Sequence, residues 1–155
     1  MYLEGILAIG GKPGLYKMIS QARSSIIVES LETGKRFPAF ASSQVSSLED
    51  IAIYTKDEEK PLSEVFINIY ELYDGGKTIS HKSSKEEILE FMEKILPDYD
   101  RDRVHIGDIK KIIQWYHILI EKDILNDKAI EEYEKEQAQK EADEEKGDEK
   151  DSDEK

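Results

Sequence analysis

The spacing of the apolar residues changes its period near residue 56, and this change constrains the fold more than any other feature of the chain. Up to residue 55, short segments rich in β-branched and aromatic residues alternate with turn sequences, as is typical of β-strands. Beyond Pro61 the apolar residues recur at the three- and four-residue spacing of helices. The sequence therefore predicts an α+β protein, with a β-rich domain over residues 1–56 and a helical domain over residues 61–125.

Turn residues divide the β-rich part into five predicted strands. Gly34, in ETGK, stands where a hairpin needs a positive φ. The polar stretch SSQVSSLED is predicted to form a 3₁₀ turn, capped by Ser46 or Ser47, before the last strand. This layout resembles an SH3-like small β-barrel, whose closure would remove exposed sheet edges. The predicted strands are YLEGILAI, LYKMIS, SIIVESL, KRFPAF and DIAIY.

Three helices are predicted in the second domain. The first apolar stripe covers residues 62–73 and ends at two glycines. A capping-box pattern, Ser84 with Glu87, begins the second helix, which ends before Pro97. The third, over residues 108–125, is apolar around nearly its whole circumference. It is therefore predicted to be the most buried helix, with Trp115 as an anchor in the core.

Charge is distributed unevenly along the chain, whose net charge is −13. Residues 1–48 hold 3 acidic and 5 basic residues, whereas residues 131–155 hold 13 acidic and 5 basic ones. Residues 126–155 are predicted to form an acidic tail, partly helical but without an apolar face to dock, and disordered over 146–155. The tail would either keep the protein soluble or engage a basic surface, on a partner or on the β-domain itself.

Several classes of site and location are disfavoured by composition. The chain has no cysteine, which excludes disulfides and thiolate metal sites and fits a reducing compartment. The N-terminal MYLEGILAIGGK lacks the basic region of a signal peptide. No segment approaches the roughly 18 apolar residues that would cross a bilayer. We therefore expect a cytoplasmic protein without a membrane partner.

The segment DYDRDRVHIGDIKK, residues 98–111, contains half of a calcium-loop pattern. Asp98, Asp100 and Asp102 supply the first three oxygen positions of such a loop. Arg103 stands where the loop needs glycine, and Ile109 stands where it needs a bidentate glutamate. We expect a solvated loop between helices, with Asp108 favouring the start of the third helix.

Other motifs do not indicate catalysis. GGKPG lacks the spacing of a phosphate-binding loop and precedes a strand, so a hairpin turn is expected. The three histidines lie far apart in the sequence, and no GxSxG motif is present. The sequence thus predicts a protein that is not an enzyme and has no cofactor or metal.

A contact surface is predicted in the β-domain, where basic residues exceed acidic ones. Aromatic and basic side chains together are typical of surfaces that bind single-stranded nucleic acid. The net charge of −13 opposes such binding unless the tail is held away. The candidate residues for contact with a partner or with nucleic acid are Lys12, Tyr16, Lys17, Lys35, Arg36 and Phe37.

Two long segments resemble a family of conserved bacterial proteins of unknown function: YLEGILAIGGKPGLYKMISQARSSIIVESLETGKRFPAF and DRVHIGDIKKIIQWYHIL. The resemblance covers residues 1 to about 125 and excludes the acidic tail. It implies a cytoplasmic bacterial protein with a β-rich half and a helical half, and it carries over no catalytic residue or ligand. The function expected from the sequence is a non-enzymatic adaptor that binds another protein. The alternative is a nucleic-acid-associated factor of the transcription or translation machinery.

Overall fold

The computed structural model describes residues 1–153, with side chains described through residue 146. Over these residues it is a mixed α+β structure with a five-stranded antiparallel sheet, a two-stranded sheet and four α-helices. The strands are β1 (Ile6–Ile9), β2 (Lys12–Gln21), β3 (Ser25–Ser30), β4 (Arg36–Phe40), β5 (Val45–Ser47), β6 (Ala52–Tyr54) and β7 (Glu59–Pro61). The helices are α1 (Leu62–Leu72), α2 (Lys85–Ile95), α3 (Ile106–Glu121) and α4 (Asp127–Asp153), and a 3₁₀ turn covers Leu48–Asp50.

The five-stranded sheet is open, with the strand order β4-β3-β2-β1-β5. Within residues 1–153 no pairing joins its edges β4 and β5, so the predicted closed barrel is not found. The difference arises at the last predicted strand, DIAIY, because β6 within it pairs with β7 in a separate sheet. The edge beside β1 is occupied instead by β5, from the stretch that was predicted to be a polar turn.

The loop at residues 98–103 lies against the two-stranded sheet. The backbone N–H of Asp100 donates to the carbonyl of Tyr54 at 2.9 Å, and the N–H of Lys56 donates to the carbonyl of Asp98 at 3.0 Å. Thr55 and Tyr99 form an isolated antiparallel bridge between these bonds. The loop is therefore held by backbone hydrogen bonds, which fix the position of the residues that follow it.

Helix boundaries follow local capping signals. The hydroxyl of Ser84 accepts the backbone N–H of Glu87 at 3.2 Å, at the start of α2. The carboxylate of Asp108 accepts the backbone N–H of His105 at 3.0 Å, at the start of α3. Gly75 follows α1 with a φ of 74°, a left-handed conformation that favours glycine. Helices α1, α2 and α3 thus occupy the regions whose apolar spacing predicts them.

One apolar core joins the β-rich and helical parts of the chain. Leu15 of the sheet and Phe66 and Ile113 of the helices belong to the same buried cluster, each 0% exposed. Tyr116 is the central aromatic residue of α3, also 0% exposed, and its hydroxyl donates to the carbonyl of Gly76 at 2.8 Å. Trp115, predicted to anchor the core, is only half-buried at its margin. Adjacent helix residues point about 100° apart, so the two side chains point in different directions, Tyr116 into the core and Trp115 towards its margin.

The start of α4 docks on this core, and the prediction that the tail has no apolar face to dock is wrong for these turns. Ile130 is 8% exposed and Tyr133 is 6% exposed. The ring of Tyr133 meets that of Tyr2 edge to face, and the N-terminal ammonium lies 2.9 Å from the Glu136 carboxylate. Two apolar side chains one turn apart suffice to fix the first turns, although most of the helix is charged. The predicted disorder of residues 146–155 falls partly outside the described residues.

A second, smaller apolar cluster lies on the face of the sheet that points away from the helices. Its buried members Leu7, Tyr16 and Val28 come from β1, β2 and β3. Side chains alternate between the two faces of a strand. The opposite face supplies Ile6 and Leu15 to the main core. The sheet is therefore covered on one face by the helices and carries its own small cluster on the other.

Candidate functional site

A groove of about 610 Å³ lies between the β1–β2 turn, the two-stranded sheet and α3. We define the groove by three walls: the turn at residues 10–14, residues 51–54, and the side of residues 103–115 that faces them. Its size is in the range of pockets that bind small molecules or side chains of a partner. Since these walls come from distant parts of the chain, only the folded core creates the groove.

The β1–β2 turn forms one wall because its glycines allow a tight, left-handed backbone. Gly11 has a φ of 79° and Gly14 a φ of 93°. The backbone N–H of Gly10 donates to the carbonyl of Gln44 at 2.7 Å, which ties the turn to the segment before β5. The turn is therefore held at a fixed distance from the sheet edge. The sequence predicted this hairpin turn correctly but did not indicate what it faces.

Two aromatic residues lie in the groove. Trp115, the only tryptophan of the chain, is half-buried and lines it from α3. Tyr54 lines it from β6 and is 41% exposed. The guanidinium of Arg103 stacks over the Tyr54 ring, 5.0 Å from its centroid. The groove thus combines apolar surface with a cation held at its edge by the 98–103 loop.

Basic residues outnumber acidic ones in the groove. Lys12, Arg103 and Lys111 are its basic lining residues, and Asp108 is the acidic one. The carboxylate of Asp108 is already engaged by the backbone N–H of His105. Arg103 has a nearby acid in Asp100, at a loose 3.5 Å, and the ion pairs among the described residues do not include Lys111. The local charge is therefore positive, in a protein whose net charge is −13.

Three of the candidate residues predicted from sequence contact one another: Lys12, Tyr16 and Phe37. The ammonium of Lys12 lies 4.0 Å from the centroid of the Phe37 ring, and the Tyr16 and Phe37 rings meet edge to face at 5.5 Å. The Tyr16 hydroxyl donates to the carbonyl of Pro13 at 2.8 Å. Burial raises the pKa of Tyr16, and Glu32 adds to this effect. This trio lies on the face of the smaller apolar cluster.

The other three predicted residues lie elsewhere. Lys17 and Arg36 both pair in register with Glu29, so the three share one face of the sheet. Strand alternation puts that face opposite Tyr16 and Phe37. The guanidinium of Arg36 donates to the Glu29 carboxylate at 3.0 Å, which neutralises part of its charge. Lys35 is exposed in the turn before β4. The six residues therefore do not form one continuous surface.

Sequence reasoning missed the residues of the groove outside the β1–β2 turn. The sequence predicted that Tyr54 belongs to a strand of the main sheet, that Arg103 lies in a solvated loop, and that Trp115 anchors the core. One signal was available: α3 is apolar around nearly its whole circumference. A helix with so wide an apolar surface is expected to contact other parts of the protein, or a partner, on more than one side. In the structure that side carries Trp115 and faces the groove.

The acidic loop uses its oxygens locally. Asp100 accepts the backbone N–H of Asp102 at 2.9 Å and lies 3.5 Å from the Arg103 guanidinium. Among the residues whose side chains are described, no three His, Cys, Asp or Glu side chains converge as metal ligands would. The geometry of this loop is that of a capped turn, which positions Arg103 beside the groove.

His117 lies on α3 away from the groove and is held as a hydrogen-bond acceptor. Its Nε2 accepts the backbone N–H of Thr78 at 3.1 Å and lies 3.2 Å from the Thr78 hydroxyl. Burial lowers the pKa of His117, and the neighbouring Lys77 and His81 lower it further. The ring therefore serves as a neutral link between α3 and the segment after α1.

None of the helices in the described part of the chain combines the length and apolar character needed to cross a membrane.

Comparison with known proteins gives matches over most of the chain. Residues 3–48 match the family model described as "Domain of unknown function (DUF5606)", and residues 51–119 match "Domain of unknown function (DUF6852)". A solution NMR structure of a structural genomics target from Bacteroides vulgatus is 49% identical, with a TM-score of 0.68. That match covers 80% of this chain and 89% of the other. A search of curated proteins finds no match.

Proposed function

The chain belongs to the bacterial family of unknown function that includes this Bacteroides vulgatus protein. For this member of the family we propose a non-enzymatic adaptor function, in which the groove binds another protein. The observation that carries the proposal is the side chain of Trp115, which is half-buried and lines, from α3, a groove of about 610 Å³. A large aromatic side chain left partly exposed in a cleft is typical of the anchor of a protein interface.

The composition of the groove supports this role. Trp, Tyr and Arg are the residues most enriched among those that dominate binding energy at interfaces. Trp115, Tyr54 and Arg103 supply one of each. Ile53 and Ile112, 8% and 1% exposed, complete an apolar base beneath them. An apolar base with polar groups at the margin is the usual arrangement of a protein-binding site.

Affinity capture from the native bacterium tests the adaptor role. Wild-type protein and the variant K110E should retain a stoichiometric partner, because Lys110 is exposed on α3 outside the groove. The variant W115A should lose that partner, since an interface tryptophan contributes about 2 kcal/mol or more. Thermal unfolding of W115A checks that the variant is folded. A partner that W115A retains, or the absence of a stoichiometric partner, contradicts the proposal.

A second candidate function is association with nucleic acid, in the transcription or translation machinery. The stacked trio of Lys12, Tyr16 and Phe37 supports it, because a cation beside aromatic rings is a common element of single-strand binding surfaces. Fluorescence anisotropy with single-stranded RNA at low salt should then give a salt-dependent affinity that K12E weakens. K85E, a matched charge reversal on α2, should leave it unchanged. No binding at low salt contradicts this candidate.

Two finer points belong to the same proposal. We take the five-stranded sheet to be an opened relative of the SH3-like barrel, because β1 pairs with both β2 and β5 and a 3₁₀ turn follows β5. We also place the protein in the cytoplasm. Cell fractionation with antibody detection checks the location, and recovery of the protein in the membrane or extracellular fraction contradicts it.

A further inference from the structure

We propose that the groove binds an extended acidic segment of the partner, with an apolar side chain of that segment against Trp115 and its carboxylates at Arg103 and Lys111. This inference rests on the proposed adaptor function and names the chemistry of its partner. The juxtaposition that carries it is a half-buried indole and two cations, Arg103 and Lys111, that line the same groove.

Charge complementarity selects an acidic partner. The chain as a whole has 22 basic and 35 acidic residues, whereas the groove is lined by three basic residues and one acidic residue. Asp108, the acidic one, accepts a backbone hydrogen bond at the start of α3. A positive site within a negatively charged protein attracts carboxylates locally and repels other cations, so it discriminates between partners by charge.

The two cations differ in how firmly they are held. Arg103 stacks on Tyr54 and lies 3.5 Å from Asp100, so these two neighbours favour its position at the groove although its side chain is 64% exposed. A planar guanidinium in a fixed position can donate two parallel hydrogen bonds to a carboxylate. Lys111 is exposed and can adjust to a second carboxylate. Lys12 contributes less, because its ammonium lies over Phe37.

The apolar base selects a segment that carries at least one apolar side chain. Ile112 and Ile53 are buried and line the groove together with the half-buried Trp115. A purely acidic segment would leave this apolar surface in contact with water and gain only screened charge interactions. A segment with an apolar residue between acidic ones can contact both the apolar base and the basic residues of the groove.

A peptide fits better than a nucleic acid. A groove of about 610 Å³ accommodates a few side chains, which is less than a nucleic-acid strand would occupy along its backbone. A long polyanion would also be repelled by the protein, because the net charge of the protein is −13. A short segment with a few carboxylates experiences less of that repulsion, because charges beyond about 8 Å are screened at physiological salt.

Fluorescence of Trp115 provides a direct test with the full-length protein, since this is the only tryptophan of the chain. The probe is a synthetic peptide with one central leucine flanked by glutamates and without aromatic residues. It should shift the emission of Trp115 saturably, and the affinity should fall as salt increases. A peptide with lysine in place of each glutamate should give no shift. A peptide with alanine in place of leucine should bind with an affinity at least about tenfold lower.

Matched variants locate the site. K111E should weaken binding of the acidic peptide about tenfold or more, whereas K110E, with the same charge change one residue away, should not. R103Q should weaken binding and R101Q should not, because Arg101 pairs with Glu93 and lies outside the groove. Thermal unfolding establishes that all four variants are folded. Equal effects of K111E and K110E would overturn the assignment to this groove.

The other outcomes separate this inference from the adaptor function. Equal binding of the acidic peptide and a neutral one with serine in place of glutamate overturns the acidic specificity and leaves the adaptor function intact. A shift produced by single-stranded DNA but not by the acidic peptide overturns it in favour of nucleic acid. If none of these probes moves the emission of Trp115, the inference is wrong. The adaptor function is then judged by whether W115A loses a captured partner.

Discussion

At the scale of single residues, Tyr133 determines how the acidic C-terminal helix meets the core. Its hydroxyl lies 2.9 Å from the hydroxyl of Ser63, which is 2% exposed, and its ring packs against Tyr2. Burial raises the pKa of both tyrosines. Tyr2 also donates to the carbonyl of Ser63 at 2.6 Å. Four polar groups, three hydroxyls and one carbonyl, are thus satisfied inside an apolar contact, which specifies where α4 lies.

The variant Y133F should lower the free energy of unfolding by about 0.5–1.5 kcal/mol, because it leaves the buried Ser63 hydroxyl without its side-chain partner. Urea denaturation monitored by circular dichroism measures this change. Y54F is the control, since Tyr54 is 41% exposed, and it should change stability by less than about 0.5 kcal/mol. Equal stabilities of Y133F and wild type would show that the hydroxyl pair contributes nothing.

His117 makes stability depend on pH. Its pKa in the folded protein is lowered, first by burial, so the unfolded chain binds a proton before the folded protein does. The contribution of the neutral ring is therefore fully present above a pH of about 6.5, and it is lost as the pH falls from that value through the lower pKa of the folded state. Protonation would also remove the acceptor for the Thr78 backbone N–H.

The variant H117Q should lose less stability than wild type between pH values of about 7.5 and 5.5, because glutamine can accept the Thr78 bond but does not titrate in this range. Urea denaturation at each pH measures the free energy of unfolding, and its change with pH is compared between the proteins. H81Q removes one of the neighbours that lower the pKa of His117, so it should make the loss of stability slightly shallower, and by less than H117Q does. If H117Q follows the wild-type curve, His117 is not the group that carries the pH dependence.

At the scale of elements, α4 divides into a docked part and a charged part. Ile130, Tyr133 and Glu136 contact the rest of the protein, whereas the described side chains after residue 136 are half-buried or exposed. The boundary between folded chain and acidic tail therefore lies beyond residue 136. The sequence put it at residue 126, because two apolar residues among many charged ones give too weak a periodicity to indicate docking.

Truncation after Lys140 should change stability little, whereas truncation after Leu125 should cost several kcal/mol. The shorter chain loses the burial of Ile130 and Tyr133 and the hydrogen bond to Ser63. Thermal unfolding of the two truncated proteins and wild type compares them directly. A melting temperature of the Leu125 truncation within a few degrees of wild type would show that docking of α4 is energetically unimportant.

At the scale of the whole molecule, the shared core makes the groove a property of both halves of the chain. Leu15 of the sheet and Ile113 of α3 pack in one cluster, so the β1–β2 turn and α3 keep a fixed separation. The two family matches end at residue 48 and begin at residue 51. The groove lies across that division, and neither segment alone supplies all of its walls.

The buried tyrosines should make the molecule sensitive to alkali. Burial raises the pKa of five tyrosines, that of Tyr116 to about 12. The unfolded chain then loses these protons first, near a pH of about 10, so stability should fall as the pH rises from there towards 12. The variant Y116F should show a shallower decline than wild type above a pH of about 10, measured by urea denaturation. A decline as steep as that of wild type would contradict the assignment.

The sequence by itself determined the regions of β1 to β4 and of α1 to α3, the signals at which these helices begin, and how charge is distributed. These features depend on residue spacing and on capping groups within a few positions, such as Ser84 with Glu87. Tertiary structure alone decided that β5 rather than β6 completes the sheet, that Tyr116 rather than Trp115 enters the core, and that α4 docks. Each of these outcomes depends on burying apolar surface from segments far apart in the chain. Local pattern does not specify which side of an element meets which neighbour, and the groove beside Trp115 is a consequence of that choice.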